Sequence, residues 1–507
     1  MLQTKKLSQS SVDGVEYRRA KLWQIILYAL NGLGGSAIFM LMNQASYAAS
    51  IGFGISTVAI GTILTGTRIF DAITDPMLAF LYDRINTRFG KLRILIMGGF
   101  FVEAVAIWLI FDGMIGKGVG SVGFILFYLM YVIGYTIINM TIQTIPALLT
   151  NDPKQRPMVG VWTTVFNYVT PVLVAIVFYS VILKIAGGQF NERYLSLAMS
   201  LTLGMALIGN VLCCIGISSI DKPENFRGTN LTQEPLRVKD MLDVLKHNKP
   251  LQSYIVAAAS DKLAQNTASQ AVVATLLSGI IIGDMALASK LNLIVMIPSI
   301  LFAVFGARYV GKKGSRRAIV DWTIASIVVA VISVVYFMVI DPQRIAGFGI
   351  ETIIYVILRI LSVGTMMVVS IANGSFMADT IDYELDRSGK YIPAVVSGTY
   401  SLIDKLISAF GVLIATIAIA TIGYVDTVPQ PGDKVTVGIF VVTMVITYGM
   451  PILGWIITLV AMRHCHLTKE EMVQVQKRIS EKKATVQSEF FKTELTRGDN
   501  SSLSGEE

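Results

Sequence analysis

Asp71 and Asp75 stand four residues apart in the run TILTGTRIFDAITDPMLAF. On a helix that spacing puts both carboxylates on one face, with Arg68 a turn before them. Acids inside so apolar a stretch are costly in hydrocarbon; they face a protein-lined cavity and mark the path of an ion or a substrate. Two ionised carboxylates this close repel one another, and a sodium ion, a proton or an ammonium group relieves the repulsion. Thr74 and Asn139 add neutral oxygens of the kind a hard cation takes. Lys405, in SLIDKLISAFG, supplies an ammonium that needs a partner at its depth. If that partner is the Asp71/Asp75 face, a movable pair lets an arriving cation release the lysine. The competing reading is static: Arg68 or a lysine holds the acids in place, and Lys405 pairs with Asp404 or snorkels. Asp261–Lys262 and Arg359 are fainter signals of the same sort.

Two further groups suggest gates. Asp83, Arg84, Arg88, Gly90, Lys91 and Arg93 form the charged turn DRINTRFGKLR after the second apolar span. Asp379, Asp382, Tyr383, Glu384, Asp386 and Arg387 follow the tenth, where they could make a matching latch with Lys390. A sugar site needs polar side chains for hydroxyls and an aromatic face for the ring. Tyr28, Ser36, Asn43, Gln143, Trp162, Asn167, Asn373 and Tyr400 are the candidates on inward faces. Gly32, Gly34, Gly35, Gly61 and Gly66 suit close helix contact, and with no strand before them they make no nucleotide loop. His247, His464 and His466 fall at span edges or in loops. Neither a structural metal, a cofactor nor an enzyme is expected.

The elements that must position these residues are membrane helices. Of 507 residues 53% are hydrophobic and 15% charged, where a soluble domain carries roughly a quarter charged. Spans of about 20 apolar residues cross a bilayer as helices. Twelve are predicted, at 22–43, 54–80, 92–112, 121–148, 159–185, 195–219, 251–282, 287–307, 317–340, 350–377, 394–424 and 436–462. The net charge of +8 sits in the connections between them, so it reports topology and not nucleic acid. The basic bias places both termini in the cytoplasm and the chain as a multi-pass protein of the plasma (inner) membrane. Cys213, Cys214 and Cys465 imply no disulfide framework.

The polar segment 220–250 divides a bundle at 22–219 from one at 251–462, with tails at 1–21 and 463–507. Each bundle carries a basic, glycine-containing turn after its second span, DRINTRFGKLR and GARYVGKKGSRR. Such a repeat suggests two six-helix bundles rocking about a central cavity. The C-terminal tail is expected to begin with a helical stretch, TKEEMVQVQKRISEKKATVQSEF, and its polar end is expected to be disordered. A monomer in the lipid bilayer is expected.

RIFDAITDPMLAFLYDRINTRFGKLRILI, from Arg68 to Ile96, resembles a signature of the glycoside–pentoside–hexuronide:cation symporters of the major facilitator superfamily. FMADTIDYELDRSGKYIPAVVSGTYSLIDKL, from Phe376 to Leu406, resembles their second signature. The resemblance implies an all-α fold of twelve transmembrane helices and uptake of a sugar or glycoside with Na⁺, Li⁺ or H⁺. In it Asp71 and Asp75 match the cation-binding acids, Arg68 the arginine before them, and Lys405 the lysine near the cation. Two places depart from the family's melibiose carrier. A Tyr-Thr-Ile-Met-Asp run is here YTIIN, ending at Asn139, and a sugar-binding aspartate of the first helix is matched only by Ser36. Melibiose is therefore a poor guess; an uncommon glycoside, a pentoside, a uronide or a substrate that is no sugar stays open. The rival readings are a proton-driven exporter of amphipathic compounds on the same fold and a non-transporting membrane sensor.

Overall fold

The computed structural model describes residues 9–12, 15–84, 90–150, 155–221, 238–389, 392–479 and 481. A short antiparallel hairpin, Gln9–Val12 (β1) and Val15–Arg18 (β2), precedes a chain of helices. The first set is Leu22–Met42 (α1), Thr57–Arg84 (α2), Leu92–Gly113 (α3), Gly120–Leu149 (α4), Arg156–Ile176 (α5) and Glu192–Ile217 (α6); α5 runs on through Val177–Ile182. An amphipathic helix, Val238–His247 (α7), leads to the second. That set is Lys249–Ala268 (α8), Ala271–Ile281 (α9), Met285–Lys313 (α10), Ser315–Val339 (α11), Ile350–Ser388 (α12), Pro393–Ala420 (α13) and Val437–His464 (α14). A last helix covers 469–479 (α15).

Apolar composition makes these segments helical, because a helix is the one local structure that satisfies its own backbone in hydrocarbon. Side chains then set the ends. Asn191, Asn248 and Asp284 accept from the backbone N–H three residues on and so start α6, α8 and α10. Nine described helices are long and apolar enough to cross a membrane, or ten if α9 and the start of α10, bent by 109°, count as one span. The chain is thus a multi-pass membrane protein. Helices α2 and α8 fall outside that number because charged and amide residues interrupt them, which is the composition of a helix facing an aqueous cavity.

Three sequence expectations are corrected. The apolar run 251–282 is not one helix: α8 ends at Ala268, and Gln270 is extended before α9. The polar stretch NTASQ there lets side chains compete with the helical backbone. The tenth helix does not stop near residue 377 but runs 39 residues to Ser388, so Asp379, Asp382 and Arg387 ride on α12. Hydropathy marks where a helix leaves the membrane, not where it ends; Gly389, with φ of 71°, ends it in the left-handed conformation that favours glycine. The segment 220–250 is no plain loop, since α7 occupies part of it.

Packing joins α1 to α5 and α6, α2 to α4, α3 to α4 and α6; in the second set α8 meets α13 and α14, and α12 meets α10 and α11. Contacts between the sets run through α2 against α13 and α5 against α10. The α2–α13 approach is close: a Cβ on Gly61 would run into Thr416 Oγ1.

The two ends of the bundle differ. At the end formed by the α1–α2, α3–α4, α5–α6 and α13–α14 connections (the loop end), one apolar core takes side chains from both sets, among them Tyr47, Phe190, Leu276 and Tyr448. The Tyr47 hydroxyl donates to the Pro429 carbonyl at 2.9 Å, Thr57 Oγ1 to that of Thr427 at 2.9 Å, and Phe190 N to Gln430 Oε1 at 3.0 Å. At the opposite, terminal end each set has its own core: Tyr28, Leu92, Leu149 and Ile217 in the first, Tyr254, Ile319, Phe376 and Met462 in the second.

Candidate functional site

Midway along α2, Asp71 points toward both sets. Its Oδ1 accepts from Thr136 Oγ1 of α4 at 3.0 Å, and its Oδ2 lies 3.5 Å from Lys405 Nζ of α13. The acid side chain is 19% exposed and the lysine 36%, so the pair sits in a polar, wettable seam and not in a sealed core. Nearly two turns nearer the loop end, Thr65 Oγ1 donates to the Ala409 carbonyl at 3.1 Å and fixes α2 on α13. Arg68 is half-buried on the same helix. Asn139 is one turn beyond Thr136, and its Oδ1 accepts from Gln143 Nε2 at 3.4 Å. An acid shared between a hydroxyl and an ammonium at this distance can release either when a cation arrives. The side chains of Thr74, Asp75, Asp83 and Arg84, and all of Arg88 and Lys390, lie outside the described residues.

A cavity of about 490 Å³ opens between α8, α12 and α13, lined by Tyr254, Asp261, Lys262, Gln265, Asn373 and Tyr400. Two of the sugar candidates, Asn373 and Tyr400, are thus brought together. The Tyr254 and Tyr400 rings lie 5.1 Å apart, and the Tyr400 hydroxyl is 3.5 Å from Asp404 Oδ1. Asp261 is buried, with Oδ2 accepting from Gln265 Nε2 at 3.3 Å. Aromatic faces beside carboxylates and amides are the chemistry of hydroxyl-rich ligands.

The other candidates are placed separately. Ser36 Oγ lies 3.5 Å from Asn167 Oδ1, pairing α1 with α5. Asn43 lines a second cavity, of about 380 Å³, at the loop end. Tyr28 is buried in the first set's terminal-end core, its hydroxyl donating to the Ile142 carbonyl at 3.2 Å, and Trp162 packs on the same core and stacks on Phe166. Tyr28 is buried in this packing and Trp162 half-buried.

The gate residues hold their own halves together in this conformation. The buried Asp221 carboxylate accepts from the backbone N–H of Lys91, Leu92 and Arg93 at 2.8, 3.0 and 3.0 Å and from Arg93 Nε at 3.1 Å. Gly90, with φ of 99°, packs directly on that carboxylate. On α12, Asp379 accepts from Ser315, Asp382 from Gln476 of α15, and Arg387 pairs with Glu384 and Asp243. Sequence reasoning passed over Thr136 and Asp221. It also passed over Glu103, buried on α3 where a Cβ on Gly134 would meet it at 2.9 Å. The signal for Glu103 was present, a lone acid in ILIMGGFFVEAVAIW; a threonine among apolar residues carries none.

The description "MFS/sugar transport protein" matches residues 30–469 of the chain. The chain belongs to this family. Its two signatures and the symporters among its relatives place it with the glycoside–pentoside–hexuronide:cation symporters. The uncharacterized symporter YjmB of Bacillus subtilis is 21% identical over 92% of this chain and 98% of its own. The inner membrane symporter YicJ of Escherichia coli is 23% identical over 87% and 91%. Among solved structures the nucleoside transporter NupG superposes with a TM-score of 0.57 at 13% identity, covering 88% of this chain and 100% of its own. The fold of this MFS/sugar transport protein is therefore that of the major facilitator superfamily, and the protein is a secondary transporter and not an enzyme.

Proposed function

We propose that this transporter carries a sugar, glycoside or uronide into the cell together with Na⁺ or H⁺, by alternating access. The observation that carries the proposal is the Asp71–Lys405 pair, 3.5 Å across the α2–α13 seam that joins the two sets. A cation binding at the Asp71 face competes with the ammonium, and a freed Lys405 on α13 alters the contact between the sets. Cation occupancy then biases which end of the bundle is closed. The joined core at the loop end and the divided cores at the terminal end suit a state open toward the cytoplasm, with the termini on that side. Gln143, Asn167 and the polar groups of the two cavities offer the hydroxyl-matching groups that an exporter of greasy compounds lacks a use for. The relatives named glycoside/cation symporter and glucuronide carrier support the same substrate class.

Counterflow into proteoliposomes, with labelled glycosides, pentosides and uronides, with and without Na⁺ across a pH series, tests this reading. Sugar signal that strengthens with Na⁺ makes it a sodium symporter; dependence on pH alone makes it a proton symporter. Asp71→Asn and Asp75→Asn are each expected to lower cation-driven accumulation about tenfold or more while exchange persists. No signal with any sugar from folded protein sinks the sugar reading and favours the exporter.

A further inference from the structure

The loop-end cavity lies between the two sets. The first contributes Asn43 and Tyr179, the second Ser269, Asn292, Arg359 and Thr447. Arg359 is the charged member of this lining, and no carboxylate faces it there. Among the described residues no acid lies within ion-pair distance of its guanidinium. Arg359 is nine residues into α12, roughly 13 Å along the axis from Ile350. An arginine cannot discharge by losing its proton, so a lone one at that depth calls for an anion.

Two further observations point to a ligand. Thr447 Oγ1 is buried without a hydrogen-bond partner while its side chain lines the cavity. Thr447 and Tyr179 both sit on single π turns, Val445–Gly449 and Val177–Ile182. Such turns re-aim side chains and recur at functional sites. The cavity therefore sets one positive charge and a few neutral hydroxyls and amides into a largely apolar lining, within the size range of small-ligand sites.

We propose that Arg359 anchors the carboxylate of the transported substrate in this cavity, so that the substrate is an acidic sugar, a uronate or uronide, and not a neutral one. The proposal rests on the sugar-symport reading and narrows it. The planar guanidinium fork matches a carboxylate bidentately and balances its single charge. Asn43, Tyr179 and Asn292 then meet ring hydroxyls. A cavity between the two sets closes around the sugar, so its anchor also sets which sugars permit closure.

The test is calorimetric titration of the purified protein with glucuronate, methyl glucoside and acetate, for wild type, Arg359→Gln and Arg359→Lys. Wild type is expected to bind glucuronate well above methyl glucoside. Arg359→Gln should weaken glucuronate about tenfold or more, with Arg359→Lys between, as loss of a charge-assisted pair demands. Methyl glucoside binding should change much less than glucuronate binding across the three. The wild-type comparison stands even if a variant fails to fold. The proposal is overturned if folded wild type binds no glucuronate or prefers methyl glucoside. It is equally overturned if acetate competes as well as glucuronate, or if folded Arg359→Gln keeps wild-type affinity. Glucuronate binding lost in Arg359→Gln, with no cation-driven accumulation of any sugar, would sink the symport reading and leave the anchor. Accumulation of neutral sugars untouched by Arg359→Gln would do the reverse.

Discussion

Lys405 and Asp71 each bring a full charge into an apolar helix, and each is tolerable there because of the other. Their partial exposure matters as much as their distance. A fully buried pair would be a static strut, whereas one reached by water can be opened by an ion. The Thr136 hydroxyl holds the other carboxylate oxygen, so it would keep Asp71 oriented if the lysine left. If the ammonium and the coupling cation compete for Asp71, removing the ammonium strengthens cation binding. Lys405→Gln is expected to raise the affinity for Na⁺, or for H⁺ if the pH series selects it, by the usual span of a coupling energy, about fivefold to a hundredfold. The same variant should lose sugar accumulation, because cation occupancy no longer changes the α2–α13 contact. Calorimetric cation titration of the purified variant checks this. Weaker cation binding in folded Lys405→Gln would make the lysine a structural partner of the acid.

Helix α3 shows what holds an element end whose charges also suit a gate. Three consecutive backbone N–H groups at its start converge on one Asp221 carboxylate from beyond the end of α6, and Arg93 adds its side chain. Without that carboxylate the buried Leu92 N–H loses its acceptor. Asp221→Ala should cost about 2–4 kcal/mol, combining a lost cap with a broken buried pair, read as a lowered thermal unfolding midpoint in detergent. An unchanged midpoint would free Lys91 and Arg93 for a purely gating role. The charged turn was legible from its residues, but its partner was not, because Asp221 is 128 residues from Arg93 and looks like an ordinary loop acid. The same limit holds elsewhere. Asp71 and Lys405 stand out because charge is rare in apolar runs, and the two signatures around them carry the family. The break at Ser269–Gln270 and the overrun of α12 to Ser388 depend on turn geometry that hydropathy does not encode. Tyr28 and Trp162 look like binding aromatics in sequence, yet only packing decides whether an aromatic faces a cavity or a neighbouring helix.

At the scale of the molecule, the decisive asymmetry is between the ends. One core spans both sets at the loop end, and two cores divide them at the terminal end. Alternating access requires the first to part and the second pair to merge, around the Asp71–Lys405 seam as the fixed level. Hydrogen bonds of two kinds then have different fates. Thr57 to Thr427 and Phe190 to Gln430 join the sets and must break in every cycle. Ala20 to Gln155, with its N–H donating to Oε1 at 2.9 Å, joins residues of one set and can persist. Thiol cross-linking separates them. Thr57→Cys with Thr427→Cys, bridged by a short cleavable reagent, should reduce sugar accumulation to background, and reduction of the bridge should restore it. Ala20→Cys with Gln155→Cys, bridged in the same way, should leave transport near its uncrosslinked rate. Full transport through a bridged 57–427 pair would mean that the loop end need not open, and the rocking of two rigid sets would have to give way to motion of single helices. Loss of transport with both bridges would show instead that α1 and α5 move against each other within the first set, which places the flexible element inside a bundle and not between the two.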